Sequence, residues 1–211
     1  MTAAPSTYHQ RVAAEKRTAI IEAASRLFLE SGYDGTPLSR IAEAAGVSKA
    51  TLFKQFPTKA ALFEAIVTES WNLDIGADAQ PGPGDLRAGL TALGRRYATL
   101  LGRPGMASLF RIVIAELPRF PELGHTLFRT GKMPYFDSVR RYLETEHAAG
   151  TAELHDSVTA AAQFLGMISD YVFWPRMLLV DWNPASADID EAVDQAVLTM
   201  LARYGTPKRA D

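Results

Sequence analysis

Apolar residues recur along the chain with the spacing of one helix face. Between residues 12 and 30, Ile20, Ala24, Leu27 and Phe28 fall at i, i+4, i+7 and i+8, which is typical of an amphipathic helix. Further segments of this kind cover 86–101, 106–117, 121–149, 156–180 and 188–204. The chain has no alternating strand pattern of useful length and no internal repeat. The pattern therefore predicts an all-α protein.

Three shorter helices are predicted from their start and stop residues. Thr36 stands before a proline, Ser48 before a second apolar segment and Thr58 before a third, and all three are good N-cap residues. Gly46 ends the first of these helices and Pro57 ends the second. Two short helices joined by a tight turn that contains glycine follow the helix-turn-helix plan.

A Pro- and Gly-rich segment, GADAQPGPGD at 76–85, is the strongest break in the chain. It predicts two parts behind a short tail. We expect a flexible tail at 1–13, a helical head at 14–74 and a helical-bundle body at 75–211. The length of 211 residues fits one such small domain and one larger one.

Composition and charge exclude some classes of protein. The chain has no Cys, which excludes a disulfide scaffold, a cysteine zinc site and a thiol nucleophile. Its net charge of −2 argues against a nucleic-acid partner. Residues 1–60, however, hold eight Lys and Arg against five Asp and Glu, a net +3 that leaves −5 on the rest. The uneven charge favours a basic contact surface on the head, although chance explains so small an excess equally well.

The residues give little support to an enzyme. The four histidines, His9, His125, His147 and His155, lack the spacing of a zinc helix. No Gly-rich phosphate loop or nucleophile elbow is present. We therefore expect no catalytic residues, no metal and no cofactor. The N-terminus lacks a basic start followed by an apolar run, and no segment is long enough to span a bilayer, so the protein is expected in the cytoplasm without a membrane partner.

The second helix of the predicted helix-turn-helix has outward positions suited to DNA. Ser48, Lys49, Thr51, Lys54 and Gln55 fall on that face, where Lys and Gln can reach base edges and hydroxyls can reach phosphates. A cation early in the next helix, at Lys59, opposes the helix dipole unless it helps to hold a phosphate. Two alternatives stay open: a three-helix core with a solvated polar face, and a helix-turn-helix that binds a partner protein.

Residues 14–74 resemble the N-terminal domain of the TetR family of bacterial regulators. The resemblance lies in LSRIAEAAGVSKATLF at 38–53, followed by Phe56, Pro57, Lys59 and Leu62. It implies an all-α homodimer with a three-helix DNA-binding head, a linking fourth helix and a larger ligand-binding and dimerisation body. It also implies a transcriptional repressor that leaves a palindromic operator when a small-molecule effector binds.

The resemblance assigns DNA contacts to particular positions of the head. The implied contacts are Thr36, Ser39, Arg40, Ser48, Lys49, Ala50, Thr51, Phe53, Lys54 and Lys59. Phe53 stands where the family usually has Tyr, so no hydroxyl is available there to bind a phosphate. Ala50 stands where Gly is frequent, a change that favours the helix.

The body resembles the family less specifically. FRIVIAELPRFPEL at 110–123 resembles the AefR-like subgroup. Large side chains at helical spacing are core residues by default, and the resemblance makes some of them candidates for an apolar effector pocket. The candidates are Phe110, Arg111, Phe128, Phe136, Phe164, Met167, Tyr171 and Trp174. Small residues in the last two helices suggest a four-helix dimer interface. These are Ala160, Ala161, Ala162, Gly166, Ala192, Ala196 and Val197.

Overall fold

A computed structural model describes residues 8–72, 81–179 and 181–206, and these residues are mostly helical. The described part contains eleven α-helices and one π-helical turn. They are α1 (Tyr8–Ser31), α2 (Leu38–Ala44), α3 (Lys49–Gln55), α4 (Lys59–Trp71), α5 (Leu86–Leu101), α6 (Met106–Glu116), α7 (Pro121–Thr126), the π turn (Leu127–Lys132), α8 (Met133–Ala148), α9 (Ser157–Val172), α10 (Trp174–Leu178) and α11 (Ser186–Tyr204). Within those three ranges no strand occurs, so the predicted all-α fold is confirmed.

Two of the predicted helix caps, Ser48 at the start of α3 and Thr58 at the start of α4, are present as hydrogen bonds. The hydroxyl of Ser48 accepts from the main-chain N–H of Thr51 at 3.1 Å. The hydroxyl of Thr58 accepts from the N–H of Ala61 at 3.0 Å. At the start of the predicted segment 156–180, the carboxylate of Asp156 caps α9 by accepting from the N–H of Val158 at 2.9 Å. The prediction that Thr36 caps α2 is wrong, because α2 begins two residues after Thr36 and has no side-chain cap. Local sequence therefore determines the start of α3, α4 and α9, but not that of α2.

The N-terminal helix is longer than its apolar pattern indicates. Helix α1 begins at Tyr8, so the second half of the predicted tail at 1–13 is helical, while residues 1–7 lie outside the described residues. The first turns of α1 contain many polar residues, so hydrophobic periodicity does not predict where the helix starts.

The predicted long helices at 121–149 and 156–180 are each divided. The first passes through α7, the π turn and α8. The second ends at Val172, and α10 starts at Trp174 with Pro175 in its first turn. A proline is well tolerated there because the first N–H groups of a helix have no intrahelical partner.

The chain folds into two compact units, which we describe separately. The first comprises Met1–Ser70 and Ser108–Thr130, and the second comprises Trp71–Ala107 and Gly131–Asp211. This division differs from the predicted boundary between 14–74 and 75–211, since 108–130 was expected in the body. A boundary drawn at a Pro/Gly-rich loop cannot detect a segment that returns later in the chain.

The first unit has a continuous apolar core. Its buried side chains from the N-terminal helices include Ile20, Ala24, Leu27, Phe28, Ile41, Leu52, Leu62, Phe63 and Val67. The ring of Tyr33 lies 5.1 Å from that of Phe28, 5.9 Å from Phe63 and 5.2 Å from Phe120. The contact with Phe120 shows that 108–130 contributes to the packing of this unit.

The second unit is a helical bundle in which α9 packs against α5, α8, α10 and α11. Its fully buried side chains include Leu90, Leu93, Phe164, Ile168 and Val193. Gly94 of α5 allows α11 to approach closely, since a Cβ at Gly94 would lie 2.7 Å from a methyl group of Val193. Tight packing of this kind makes core positions sensitive to any added volume.

A buried carboxylate joins the loop before α5 to α8 in the second unit. Glu146 is fully buried and accepts hydrogen bonds from the Tyr142 hydroxyl at 2.6 Å, from the Gly84 N–H at 3.1 Å and from the Thr151 hydroxyl. Burial is the main cause that raises the pKa of Tyr142, and its hydrogen bond to Glu146 raises that pKa further. These partners satisfy a group that would otherwise be costly to bury.

Among the described helices, none is by itself long and apolar enough to cross a membrane, although α5 and α6 taken together meet such limits by length and composition.

Candidate nucleic-acid interface

The turn between α2 and α3 is closed by main-chain hydrogen bonds around Gly46. The N–H of Gly46 donates to the carbonyl of Glu43 at 3.0 Å, and that of Val47 donates to the carbonyl of Ala42 at 3.0 Å. Gly46 has a φ of +65°, a conformation that L side chains rarely adopt. Glycine therefore permits the sharp reversal that brings α3 onto α2.

Helix α3 has a buried side and an exposed side. Leu52 is fully buried, and Phe56, directly after the helix, is 2% exposed. The exposed residues of the helix and its cap are Ser48, Lys49, Ala50, Phe53 and Lys54. The ring of Phe53 is 50% exposed. The hydroxyls of Ser48 and Thr51 lie 2.8 Å apart. The helix thus presents two cations, hydroxyls and an aromatic ring outward.

An open cleft of about 410 Å³ runs along α2 and the start of α3. It is lined by Ser39, Arg40, Ala42, Glu43, Val47 and Lys49. Arg40 also donates from Nη1 to the hydroxyl of Ser31 at 2.9 Å. Two cations and a hydroxyl at the edge of the helix pair suit an anionic backbone, because such groups make most phosphate contacts in protein–DNA complexes.

Thr36 does not lie on this surface. Its side chain is fully buried, and its hydroxyl donates to the carbonyls of Gly32 at 2.8 Å and Leu27 at 3.1 Å. The implied contact between this hydroxyl and a DNA backbone is therefore wrong for this structure. The two hydrogen bonds of Thr36 instead link it to the last turns of α1 and to the residue directly after that helix.

The ammonium group of Lys59 is bound to the turn between α1 and α2. Its Nζ donates to the carbonyls of Tyr33 at 2.7 Å and Asp34 at 3.2 Å, and lies 4.8 Å from the centroid of the Tyr33 ring. Burial lowers the pKa of Lys59, and the carboxylates of Asp34 and Glu116 oppose that shift. Lys59 thus donates two ammonium protons to carbonyl groups of the protein itself. The sequence instead predicts a contact between Lys59 and a phosphate.

The opposite side of the same turn is held from α6. Glu116 accepts the N–H groups of Tyr33 at 2.9 Å and Asp34 at 3.3 Å, and Arg119 pairs with the Asp34 carboxylate. Burial, with the charges of Glu122 and Glu116, raises the pKa of Tyr33 to about 12. We call Tyr33, Asp34, Lys59, Glu116 and Arg119 the turn clamp. Sequence reasoning missed it because its members are far apart in the chain.

The first turns of α1 lie beside the end of α3. The amide of Gln55 donates to the carbonyl of Ala13 at 3.3 Å. The guanidinium of Arg17 lies 4.6 Å above the centroid of the Phe56 ring. Arg17 is not among the residues predicted from the sequence, although its position in the apolar pattern of α1 is unusual. Arg17 precedes Ile20 by three residues, so it falls on the apolar face of α1, an uncommon place for a cation.

The eight candidate pocket residues fall in both units. Phe110, Arg111 and Phe128 belong to the first unit, and Phe136, Phe164, Met167, Tyr171 and Trp174 belong to the second. Phe164 is fully buried, whereas Phe128 and Trp174 are each 54% exposed. The other five are half-buried. Phe164 therefore packs in the core of its bundle, and the half-buried residues are better placed to meet a small molecule.

The second unit also holds a pair of buried tyrosines that the sequence analysis did not select. The rings of Tyr97 and Tyr135 are stacked, 5.2 Å apart with an interplanar angle of 19°. The Tyr135 hydroxyl donates to the carbonyl of Leu93 at 2.7 Å. Burial raises the pKa of Tyr97 to about 12 and also raises that of Tyr135, so both phenols stay neutral at physiological pH.

Two family models match the chain. The model described as bacterial regulatory proteins, tetR family, matches residues 20–66. The model described as the C-terminal domain of AefR-like transcriptional repressors matches residues 88–206, more than half of the chain. The chain belongs to the TetR family. It is therefore a DNA-binding transcriptional regulator, and TetR-family regulators generally work by binding rather than by catalysis.

Relatives and solved structures agree with this assignment to the TetR family. An uncharacterized HTH-type transcriptional regulator of Mycobacterium bovis is 25% identical over 190 residues, 89% of each chain. A TetR-family regulator of Mesorhizobium loti is 27% identical, with a TM-score of 0.73 over 92% of this chain and 98% of its own. The flavonoid-responsive regulator FrrA is 28% identical, with a TM-score of 0.71 over 93% of this chain and all of its own.

Proposed function

We propose that this TetR-family protein is a homodimeric repressor that binds a palindromic operator and leaves it when an apolar small molecule binds the body. The exposed side of α3 is the observation that carries the proposal. Lys49 and Lys54 lie outward there while Leu52 is fully buried. Lysines in a major groove can reach both base edges and phosphates. The contacts proposed are Ser39, Arg40, Ser48, Lys49, Ala50, Thr51, Phe53 and Lys54.

DNA binding is tested by titration at several salt concentrations. One duplex is a mixed sequence, and the other carries the DNA upstream of the protein's own gene. Affinity should fall steeply with salt because bound counterions are released from the DNA. Lys54→Ala should weaken binding several-fold, while the matched control Arg141→Ala, an exposed cation on α8, should leave it unchanged. Binding to neither duplex, or binding without salt dependence, would contradict the proposal.

The proposed dimer uses α9 and α11 of each chain, as in a four-helix interface. Several of the small residues expected at this interface are buried inside the chain's own bundle. These are Ala160, Ala161, Ala196 and Val197. Contact with a second copy is therefore assigned to exposed positions on the same helices. These positions are Val158, Ala162, Gly166 and Leu198.

The proposed effector is a largely apolar molecule with aromatic character. FrrA, which is 28% identical to this chain, is named as flavonoid-responsive. In the second unit, half-buried Phe136 and Tyr171 are suited to ring stacking, and half-buried Met167 is suited to a contact between its sulfur and a ring. A flavonoid should release the protein from the upstream duplex, and its glycoside, whose sugar is costly to desolvate, should do so less well. Equal release by both compounds, or none by either, would count against this class of effector.

Release requires different affinities of the effector for two states of the dimer. In the DNA-bound state the two heads fit successive major grooves, and in the effector-bound state they do not. Operator affinity measured with and without saturating effector tests this coupling, and identical values would reject it. Since its target is chromosomal DNA, the protein is assigned to the cytoplasm.

A further inference from the structure

The first turns of α1 form a surface next to the helix-turn-helix. Helix α1 starts at Tyr8, whereas the tetR family model begins to match at residue 20. The segment 8–19 is therefore helical and precedes the part of the chain that the family model matches. Its basic residues are Arg11, Lys16 and Arg17, against a single acidic residue, Glu15.

The contacts of the first unit place one of these cations beside α3. The Gln55 amide bonds to the carbonyl of Ala13, and Arg17 lies one helical turn further along the same face of α1. The Arg17 guanidinium stacks on Phe56, which forms the C-terminal cap of α3 and is 2% exposed. This contact with a buried ring holds the guanidinium at the edge of the proposed recognition helix.

Arg17 keeps its hydrogen-bonding capacity in this position. Its side chain is exposed, and within ranges 8–72, 81–179 and 181–206 it has no ion pair with a carboxylate. The contact with the Phe56 ring uses no N–H group as a donor to a carboxylate, so the guanidinium N–H groups remain available to a phosphate. Lys59, by contrast, uses two of its protons on carbonyls of the head.

We propose that Arg17 binds a phosphate of the DNA backbone next to the base pairs contacted by α3, at a site outside the helix-turn-helix. The inference rests on the proposed DNA binding. In a dimer the contact occurs once in each protomer, so it lengthens the DNA segment held by each head. It carries no sequence information and should act equally on all duplexes.

The test compares full-length variants on the mixed-sequence duplex across a series of salt concentrations. Arg17→Met removes the charge but keeps apolar cover over Phe56, and Arg17→Lys keeps the charge but loses the planar stack. Arg11→Met is the matched control. Arg11 is exposed and pairs with Glu15 at 3.7 Å, and it lies on the opposite side of α1 from Ala13 because two residues turn a helix by about 200°.

Arg17→Met should weaken binding several-fold and lower the slope of log affinity against log salt by about 0.9 for each phosphate that the variant no longer neutralises. Arg17→Lys should keep most of the slope, and Arg11→Met all of it. Thermal unfolding of each variant shows whether the head is intact. If Arg17 only covers Phe56, Arg17→Met will bind like the wild type, and the proposal is overturned. A wild type without salt-dependent binding would overturn the proposed function together with this inference.

Discussion

Single residues of the turn clamp hold the α1–α2 turn from both sides. Lys59 binds the carbonyls of Tyr33 and Asp34, and Glu116 binds the N–H groups of the same two residues. Main-chain polar groups in a partly buried turn need such partners, because an unpaired group costs as much as a lost hydrogen bond. The clamp therefore provides hydrogen-bond partners for main-chain groups of a turn that belongs to no helix.

Replacing Glu116 tests the clamp at the scale of one side chain. Glu116→Ala leaves the N–H groups of Tyr33 and Asp34 without their acceptor and should destabilise the protein by about 1–3 kcal/mol. Glu116→Gln keeps one acceptor oxygen and should lose less. Thermal unfolding followed by circular dichroism measures both, with Glu69→Ala on the exposed side of α4 as the control. Equal melting temperatures for Glu116→Ala and the control would show that the clamp adds no stability.

Periodicity predicts buried residues such as Ile41 and Leu52 well, because helical spacing alone determines which side they take. It does not predict the partners of Thr36 and Lys59, whose side chains can bond either to DNA or to nearby carbonyls. The choice depends on where α1 and its following turn lie in space. Motif position therefore predicts which helix faces DNA, but it does not predict which side chains of the head already have partners within the protein.

The π turn departs from α-helical hydrogen bonding, because its main-chain bonds span five residues. It lies between α7 and α8 and contains Gly131, which is buried. A Cβ at Gly131 would lie 2.6 Å from Nε1 of Trp71, the last residue of α4. Glycine thus lets the indole pack directly on the backbone of the π turn.

Gly131→Ala should displace the indole of Trp71. The added methyl group cannot be accommodated at 2.6 Å, so the ring must move toward solvent and its fluorescence emission should shift to the red. Measurement requires Trp71 as the sole tryptophan, and Trp174→Phe with Trp182→Phe provides that background. The same background with Gly131 intact is the control. Identical emission spectra with and without the methyl group would contradict the packing described.

The sequence predicts the existence and type of most helices, and with Ser48 and Thr58 it predicts the starts of α3 and α4 correctly. It does not predict the π turn, because a π turn differs from an α-helix by one step in hydrogen bonding and leaves the apolar spacing almost unchanged. It also does not predict that 156–180 divides at Phe173. Proline can occupy the first turn of a new helix as readily as it bends an old one.

For the whole molecule, charge and oligomeric state are linked. The excess of +3 lies within residues 1–60, while the rest of the chain is −5. In the proposed dimer, α9 and α11 hold two acidic bodies together. Two basic heads, one from each chain, then bind the same duplex. Weak binding by each head then becomes cooperative, because the second head binds at a high effective concentration.

A charged residue on the proposed interface should separate the protomers. Leu198 on α11 is 43% exposed, and Leu198→Glu would bury an unpaired carboxylate between two copies, which is strongly unfavourable. Sedimentation velocity should show a shift from dimer to monomer. Leu29→Glu on α1, where the wild-type leucine is 49% exposed, is the matched control and should remain dimeric. A dimer unaffected by Leu198→Glu would place the interface elsewhere.

The return of Ser108–Thr130 to the first unit has a consequence for protein engineering. A head excised at residue 74 would lack Phe120, Glu116 and Arg119, which contact Tyr33 and Asp34. A chimera joined at that single point would therefore leave these three residues behind. For this chain a working exchange must carry a second, internal fragment, or a recipient whose own α6 offers a carboxylate at the same place.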